Sequence, residues 1–356
     1  MPAAVRAANT QSTRATRHRG KVSSEAILSW SAASHLPSAR IETPLTAPGV
    51  FTGPYETLPW LTRARGQLQS LRRAATLPYE MERRQLGPQM DLFFPRGEED
   101  AADLIEQAVV RSLAVISEKW GLPRRRCRVY VATAWLPVVL HSTPRYLLPV
   151  GLLALPFWGP RIRRFWPAAA GWTQRFTRRP AVCIKPPWLL EKADRTVGEM
   201  LYVREQDPRK KVEHVTCHEL THALTAHLRL PAWLNEGVAM LAVDAYLGQP
   251  TVRPDSLYLL PSGGRQGAPE EYRKLLGMKL KGVAGLYARA YWTTRFLEEK
   301  HSALLRRLMT KRVSRHSIEK QVAAALGLRR RDLWKAIDRV VVDHFADLLA
   351  DDDRGM

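Results

Sequence analysis

Cysteine is scarce, acid is scarce, and no apolar run is both long and unbroken. Three cysteines among 356 residues (Cys127, Cys183 and Cys217) cannot build a disulfide framework, and their spacing does not suggest a thiolate metal site. A reducing, cytoplasmic setting is therefore expected. The N-terminus lacks the apolar core of a secretory signal peptide. Its Arg/Ser/Ala-rich, acid-poor start resembles an organellar transit peptide as well as a disordered basic tail, and the tail is the reading adopted. The most apolar segment, Leu136–Trp158, is interrupted by Pro137, Pro144, Arg145, Pro149 and Pro156. It does not supply the ~20 uninterrupted apolar residues that a helical bilayer span requires. A buried loop, or a hairpin lying in a membrane interface, is expected there.

The shortage of acid sets the charge. Against 34 Asp+Glu stand 55 Lys+Arg, a net +21 with a pI near 10.4. Such a surface attracts nucleic acid or an anionic membrane face. A generally basic, solvated surface is the simpler account. The excess is not confined to one tail, since residues 1–41 hold only six basic residues and one acid. An apolar fraction of 45% argues against wholesale disorder, and the chain is long enough to bury a substantial core.

Residues 1–55 show no sustained periodicity and read as a disordered basic tail. Residues 56–97 read as a poorly defined linker, with a short helix around Leu61–Leu77 followed by Pro and Gly turns. Ordered structure begins convincingly at Glu98. Leu104, Ile105, Ala108, Val109, Leu113 and Ile116 recur at helical spacing up to Trp120, with acids at the start and Gly121 as the stop. Cys127–Ala134 alternates like a strand, Ala181–Lys185 reads as another and Gly198–Arg204 as a third. Residues 98–206 thus form an α/β part, and residues 207–350 a helical one. Between the strands, Arg161–Arg179 carries six arginines and no acid, interleaved with Phe165, Trp166, Trp172 and Phe176. That pattern can grip nucleic acid or sit among lipid headgroups, although a surface loop packed by its own side chains accounts for it as well.

The chemistry is concentrated in one segment. Asp207-Pro208 provides an N-cap and a first-turn proline for a helix expected to run to about Leu230, before Pro231. Inside it, His218-Glu219-Leu220-Thr221-His222 forms an H-E-x-x-H motif. Residues four apart share a helix face, so both imidazoles can reach one ion, while Glu219 is near enough to take a proton from water held there. Zinc lowers the pKa of such a water to about 7. Catalytic zinc usually takes three protein ligands, and Glu236 is the candidate third. It lies in Pro231-Ala232-Trp233-Leu234-Asn235-Glu236-Gly237, which opens a second helix ending at Gly248 and doubling back after a short turn. The plain alternatives are partly buried, hydrogen-bonded histidines and a glutamate at a helix start. Asp244 is a candidate for orienting a histidine, although a solvated helix carboxylate is the simpler account. Thr221, His227 and Cys217 fall off the ligand face.

The H-E-x-x-H motif followed by Trp233–Gly237 resembles the gluzincin zinc metallopeptidases. The W-L-N-E-G string is similar to that around the third zinc ligand in aminopeptidase N-type enzymes. Thirteen residues separate His222 from Glu236, a shorter gap than in those enzymes and closer to the compact peptidase MA-like proteins. No Gly-x-Met-Glu-Asn string is present, so recognition of a free N-terminus does not carry over. The resemblance implies one Zn2+ held by His218, His222 and Glu236, with Glu219 as general base and a peptide or protein as substrate. It implies an α+β, zincin-like fold: a small mixed sheet, the zinc helix and an all-helical C-terminal half, the cleft lying between the sheet edge and the helices of Glu236 and Tyr287. Tyr287-Ala288-Arg289-Ala290, with Phe296-Leu297-Glu298 beyond it, resembles the helix that supplies a tyrosine to the oxyanion. That makes Tyr287 the candidate and Tyr291, one turn later, its rival. The closing helices Ile318–Leu326 and Leu333–Phe345, split by Gly327, also resemble the compact family. Two other classes remain open. One is a basic nucleic-acid or membrane-surface binding protein with a structural or vestigial zinc site; the other is a zinc hydrolase of a non-peptide substrate.

Overall fold

The computed structural model describes residues 80–167, 169–175, 179–190, 201–203, 205–260 and 280–352. The N-terminal tail and the helix expected at Leu61–Leu77 lie outside the described residues, as does most of the strand expected at Gly198–Arg204. Of that strand, Tyr202 forms an isolated bridge to Val252 rather than a place in the sheet.

The fold is α+β. Strands β1 (Met81–Gln85) and β2 (Met90–Pro95) make a hairpin, and helix α1 (Glu99–Trp120) leads to β3 (Cys127–Val131). Helices α2 (Trp135–Ser142) and α3 (Leu148–Phe165) follow, then β4 (Gly171–Gln174), β5 (Ala181–Ile184) and the single-turn α4 (Pro187–Leu190). The strand order is β1-β2-β3-β5-β4: β2, β3 and β5 run parallel, and β1 and β4 flank them antiparallel. The rest is helical: α5 (Pro208–Thr225), α6 (Ala232–Leu247), α7 (Leu280–Lys300), α8 (Ser302–Leu308), α9 (Arg315–Ala325), α10 (Leu333–His344) and α11 (Ala346–Asp352).

Alternation along β3 explains the layering. Val129 and Val131 enter the main core, which joins one face of the sheet to α1, α5, α6 and α7. Tyr130 points the other way, into a smaller cluster with Val138, Trp172 and Cys183. Gly121 ends α1 in the left-handed conformation (φ 65°) and its N–H donates to Ser117 O, the stop that the sequence signals.

Two expectations need correction. Leu136–Trp158 is neither a loop nor a hairpin but lies in α2 and α3. Pro137 and Pro149 fall in the first turns of these helices, where no intrahelical N–H bond is lost, and Pro144 lies between the helices. Only Pro156 and Pro160 occupy the helix interior. Arg161–Arg179 is likewise not a surface loop throughout, for it closes α3 and then supplies β4, whose four residues are all buried. The hairpin β1–β2 lies within residues 56–97, the stretch expected to be a linker, and β2 alternates between fully and partly buried positions.

Candidate metal centre

Helix α5 starts as its sequence dictates. Asp207 Oδ1 accepts the Arg209 N–H at 2.8 Å and Pro208 occupies the first turn. It ends at Thr225, five residues short of the expected Leu230. Threonines at 216, 221 and 225 all donate their hydroxyls back to the carbonyl four residues earlier, a bond that competes with regular helix. Arg229 then takes a positive φ of 53°, and the chain reverses into α6 at Pro231.

This early turn brings the three candidate ligands together. His218 Nε2 and His222 Nε2 stand 3.0 Å apart. Glu236 Oε2 lies 3.2 Å from the first and Oε1 lies 3.4 Å from the second. A tetrahedral zinc with bonds of about 2.0–2.1 Å requires donor atoms roughly 3.3–3.4 Å apart, and each imidazole nitrogen stands near that distance from one Glu236 oxygen. Among the described residues, these three form a group able to hold a metal. Glu236 keeps 1% of its side chain exposed and His222 4%, while His218 keeps 14% and is the ligand nearest solvent.

The electrostatics fit a deprotonated carboxylate among imidazoles. Burial alone would raise the Glu236 carboxyl, but the neighbouring histidines outweigh it and hold the group far below the usual carboxylate range. Burial would lower His218, and the hydrogen bond and charge of Glu236, with the charge of Glu219, reverse that and raise it.

A further residue contacts the second ring nitrogen of His222. The Asn235 amide nitrogen lies 2.8 Å from His222 Nδ1, and Asn235 Oδ1 accepts from the Thr225 hydroxyl at 3.1 Å. The oxygen and nitrogen of a carboxamide are nearly interchangeable in shape; with the amide turned over, its oxygen accepts the Nδ1 proton and leaves Nε2 as a lone-pair donor for metal. The Thr225 hydroxyl also lies 2.9 Å from Thr221 O. Asn235 and Thr225 had no assigned role in the sequence reading, although Asn235 stands beside Glu236 in the quoted string.

Glu219 is 2% exposed and sits against the end strand β4. Thr173 Oγ1 lies 2.8 Å from Glu219 Oε2 and 2.9 Å from its carbonyl oxygen, so the threonine hydroxyl steadies the carboxylate. Gly171, two residues earlier on the same strand face, makes this approach feasible. A Cβ there would come within 2.7 Å of Val215 Cγ1 and 3.1 Å of Glu219 Cγ. Both residues lie in the stretch read as a loop, which concealed them.

Gly237 plays the equivalent part between helices. A Cβ at that position would overlap Thr294 Oγ1 and the Ala290 carbonyl, so glycine lets α7 cross α6 beside Glu236. Tyr287 is buried on α7, one turn before Ala290. Its rival Tyr291 is committed elsewhere: its hydroxyl donates to Asp244 Oδ2 at 2.7 Å and accepts from Arg295 at 2.7 Å. Asp244 Oδ1 accepts the Thr251 N–H and hydroxyl. Asp244 therefore ties α6 to α7 and to the segment after Gly248, while the partner of His222 is Asn235. Tyr202, not singled out in the sequence, reaches Met240 Sδ at 3.5 Å, one turn along α6 from Glu236. Burial and then the charges of Glu236, Asp244 and Glu219 push its phenol upward. His227 bonds to the Leu224 carbonyl and Cys217 is buried, both away from the ligand atoms.

Compared with protein-family models and with curated proteins, the chain matches none. What defines the centre is its own geometry: a buried two-histidine, one-glutamate group on α5 and α6, beside a mixed sheet, able to hold one metal ion.

Proposed function

We propose that the protein is a zinc-dependent peptidase in which His218, His222 and Glu236 hold one Zn2+ and Glu219 is the general base. The observation that carries this reading is the close grouping of three side chains: the two Nε2 atoms stand 3.0 Å apart, each 3.2–3.4 Å from its own Glu236 oxygen, next to a buried carboxylate that is not part of the group. When bound, zinc supplies Lewis-acid chemistry, polarising a carbonyl and acidifying water. Glu219 takes the proton from the attacking water and passes it to the leaving amine, and Thr173 holds the carboxylate in place for both transfers. Asn235 keeps His222 in the metal-binding tautomer. Tyr287 donates to the developing oxyanion. Its helical spacing from Ala290 and Thr294, which meet Gly237, supports that role, as does the commitment of Tyr291 to Asp244. A peptide is favoured as substrate because the H-E-x-x-H motif followed by Trp233–Gly237 resembles the gluzincin peptidases.

Metal analysis paired with a peptide-library digest tests this directly. Wild type should carry one ion per chain and cleave. Glu219→Gln should keep the ion and lose about 10²–10⁴-fold in rate, the usual worth of a general base. Glu236→Ala should lose metal affinity. Activity retained in Glu219→Gln removes the base assignment, and unchanged affinity in Glu236→Ala removes the third ligand. Metal binding without cleavage of any peptide removes the substrate class.

A further inference from the structure

From Lys119 to Leu190 the chain runs 72 residues without a single Asp or Glu, and the same span holds two lysines and eleven arginines. Thirteen of the net +21 charges therefore come from one fifth of the sequence. Helix α3 lies in the middle of this tract. Its sequence is apolar around most of the circumference, and its described side chains are buried on one side and exposed on the other. Leu155 and Ile162 are buried at 4% and 8% exposure, whereas Val150 is 65% and Leu153 79% exposed. At 100° per residue Val150 and Leu153 lie on the side opposite Leu155 and Ile162. Tyr146 is 73% exposed in the turn just before the helix, and Leu152, nearer the Leu155 side, is 51% exposed. Among the described residues nine large apolar side chains are exposed, and four of them fall between positions 146 and 153. Exposed Arg145 adjoins the patch, and exposed Arg163 lies further along, near the C-terminal end of α3.

We propose that this face of α3 docks on an anionic lipid surface. A helix apolar on its outer side gains by burying that side in a second apolar phase. Aliphatic side chains with a tyrosine, next to Arg145 and within an acid-free arginine-rich tract, match the boundary between acyl chains and negatively charged headgroups. Nucleic acid would use the arginines but gains nothing from exposed Val150 and Leu153, which is why lipid is the partner chosen. No helix among the described residues is long and apolar enough to cross a membrane, so the contact is peripheral.

Docking there would set the orientation of the metal centre. Trp166, just past the end of α3, packs edge-on against Trp172 of β4 with ring centroids 5.3 Å apart. The Lys185 ammonium donates to the carbonyls of Trp166 and Pro167, fixing that junction. The strand carrying Thr173 is thus coupled to the docking helix and comes with it to the lipid. The surface argument stands whether or not the centre hydrolyses anything.

The test is co-sedimentation of the full chain with phosphatidylcholine vesicles, with and without phosphatidylserine. Two double variants are compared, Val150→Ser with Leu153→Ser, and Arg145→Glu with Arg163→Glu, each checked by circular dichroism for retained fold. Wild type should bind the anionic vesicles at least about tenfold more strongly than the neutral ones, and each double variant should lose about tenfold. Undiminished binding by the serine pair overturns the proposal. So does salt-sensitive binding of duplex DNA with no vesicle binding, which would assign the tract to nucleic acid. A wild-type dimer that the serine pair dissociates would assign the face to a second copy of the chain, and also overturns it.

Discussion

Helices α6 and α3 are both apolar around most of their circumference, yet they meet opposite fates. In α6, twelve of sixteen residues are buried, because α5, α7 and α1 pack around it. In α3 one side rests on the body and the other carries some of the most exposed aliphatic groups of the described structure. Composition alone would send both to the interior. The difference is how many neighbours the topology supplies, and it separates a helix that builds a candidate metal centre from one that presents a surface.

The sharpest way to break this comparison is to truncate a leucine on α6. Leu241 is 1% exposed, so Leu241→Ala should cost about 2–5 kcal/mol of stability through lost burial and a cavity, measured by denaturant unfolding. A cost near zero would mean that α6 is not packed as described. Next in size is the link from α6 back to α5. Asn235→Ala should weaken metal binding about 10–100-fold without loss of helix content, as read by competition with a chelator. Unchanged affinity would show that the His222 tautomer is set by something else.

A smaller effect concerns the junction between α3 and the sheet. Burial pulls the Lys185 ammonium down to about 8 in the folded chain, against about 10.4 when unfolded. Between these values the unfolded chain binds more protons, so this lysine makes stability rise with pH across that window. Wild type should accordingly gain on Lys185→Met by about 2 kcal/mol between pH 8 and 10, and a flat difference would place the ammonium in solvent. The smallest effect is the counterpart of the first. Leu153→Ala should change stability by less than about 0.5 kcal/mol, because that side chain is 79% exposed. A loss comparable to that of Leu241→Ala would erase the contrast between the two helices.

The centre was largely legible in the sequence because its spacing is local. Four residues separate His218 from His222 on one helix, and a short proline turn limits where Glu236 can go. Helix α1 and the limits of α6 were legible for the same kind of reason, since Gly121 and Gly248 stop them with positive φ. Thr173 was not legible. It reaches Glu219 across 46 positions, and its strand is hidden in an arginine-rich stretch that looks like a loop. Asn235 stood in view, but its role depends on the angle between α5 and α6. Tyr291 and Asp244 each looked suited to the centre and instead bond to one another, a choice fixed by how α7 crosses at Gly237.

By itself, then, the sequence determined the helices of the centre, the order of its ligand residues and the acid-free basic tract, all of which follow from periodicity, capping and charge. Only the tertiary structure decided that three ligand atoms converge within bonding range of one ion. It also decided that an end strand steadies the neighbouring carboxylate and that α3 keeps an apolar face uncovered. Contacts of that kind join residues far apart in the chain, and no local pattern of side chains encodes the angle at which two helices meet.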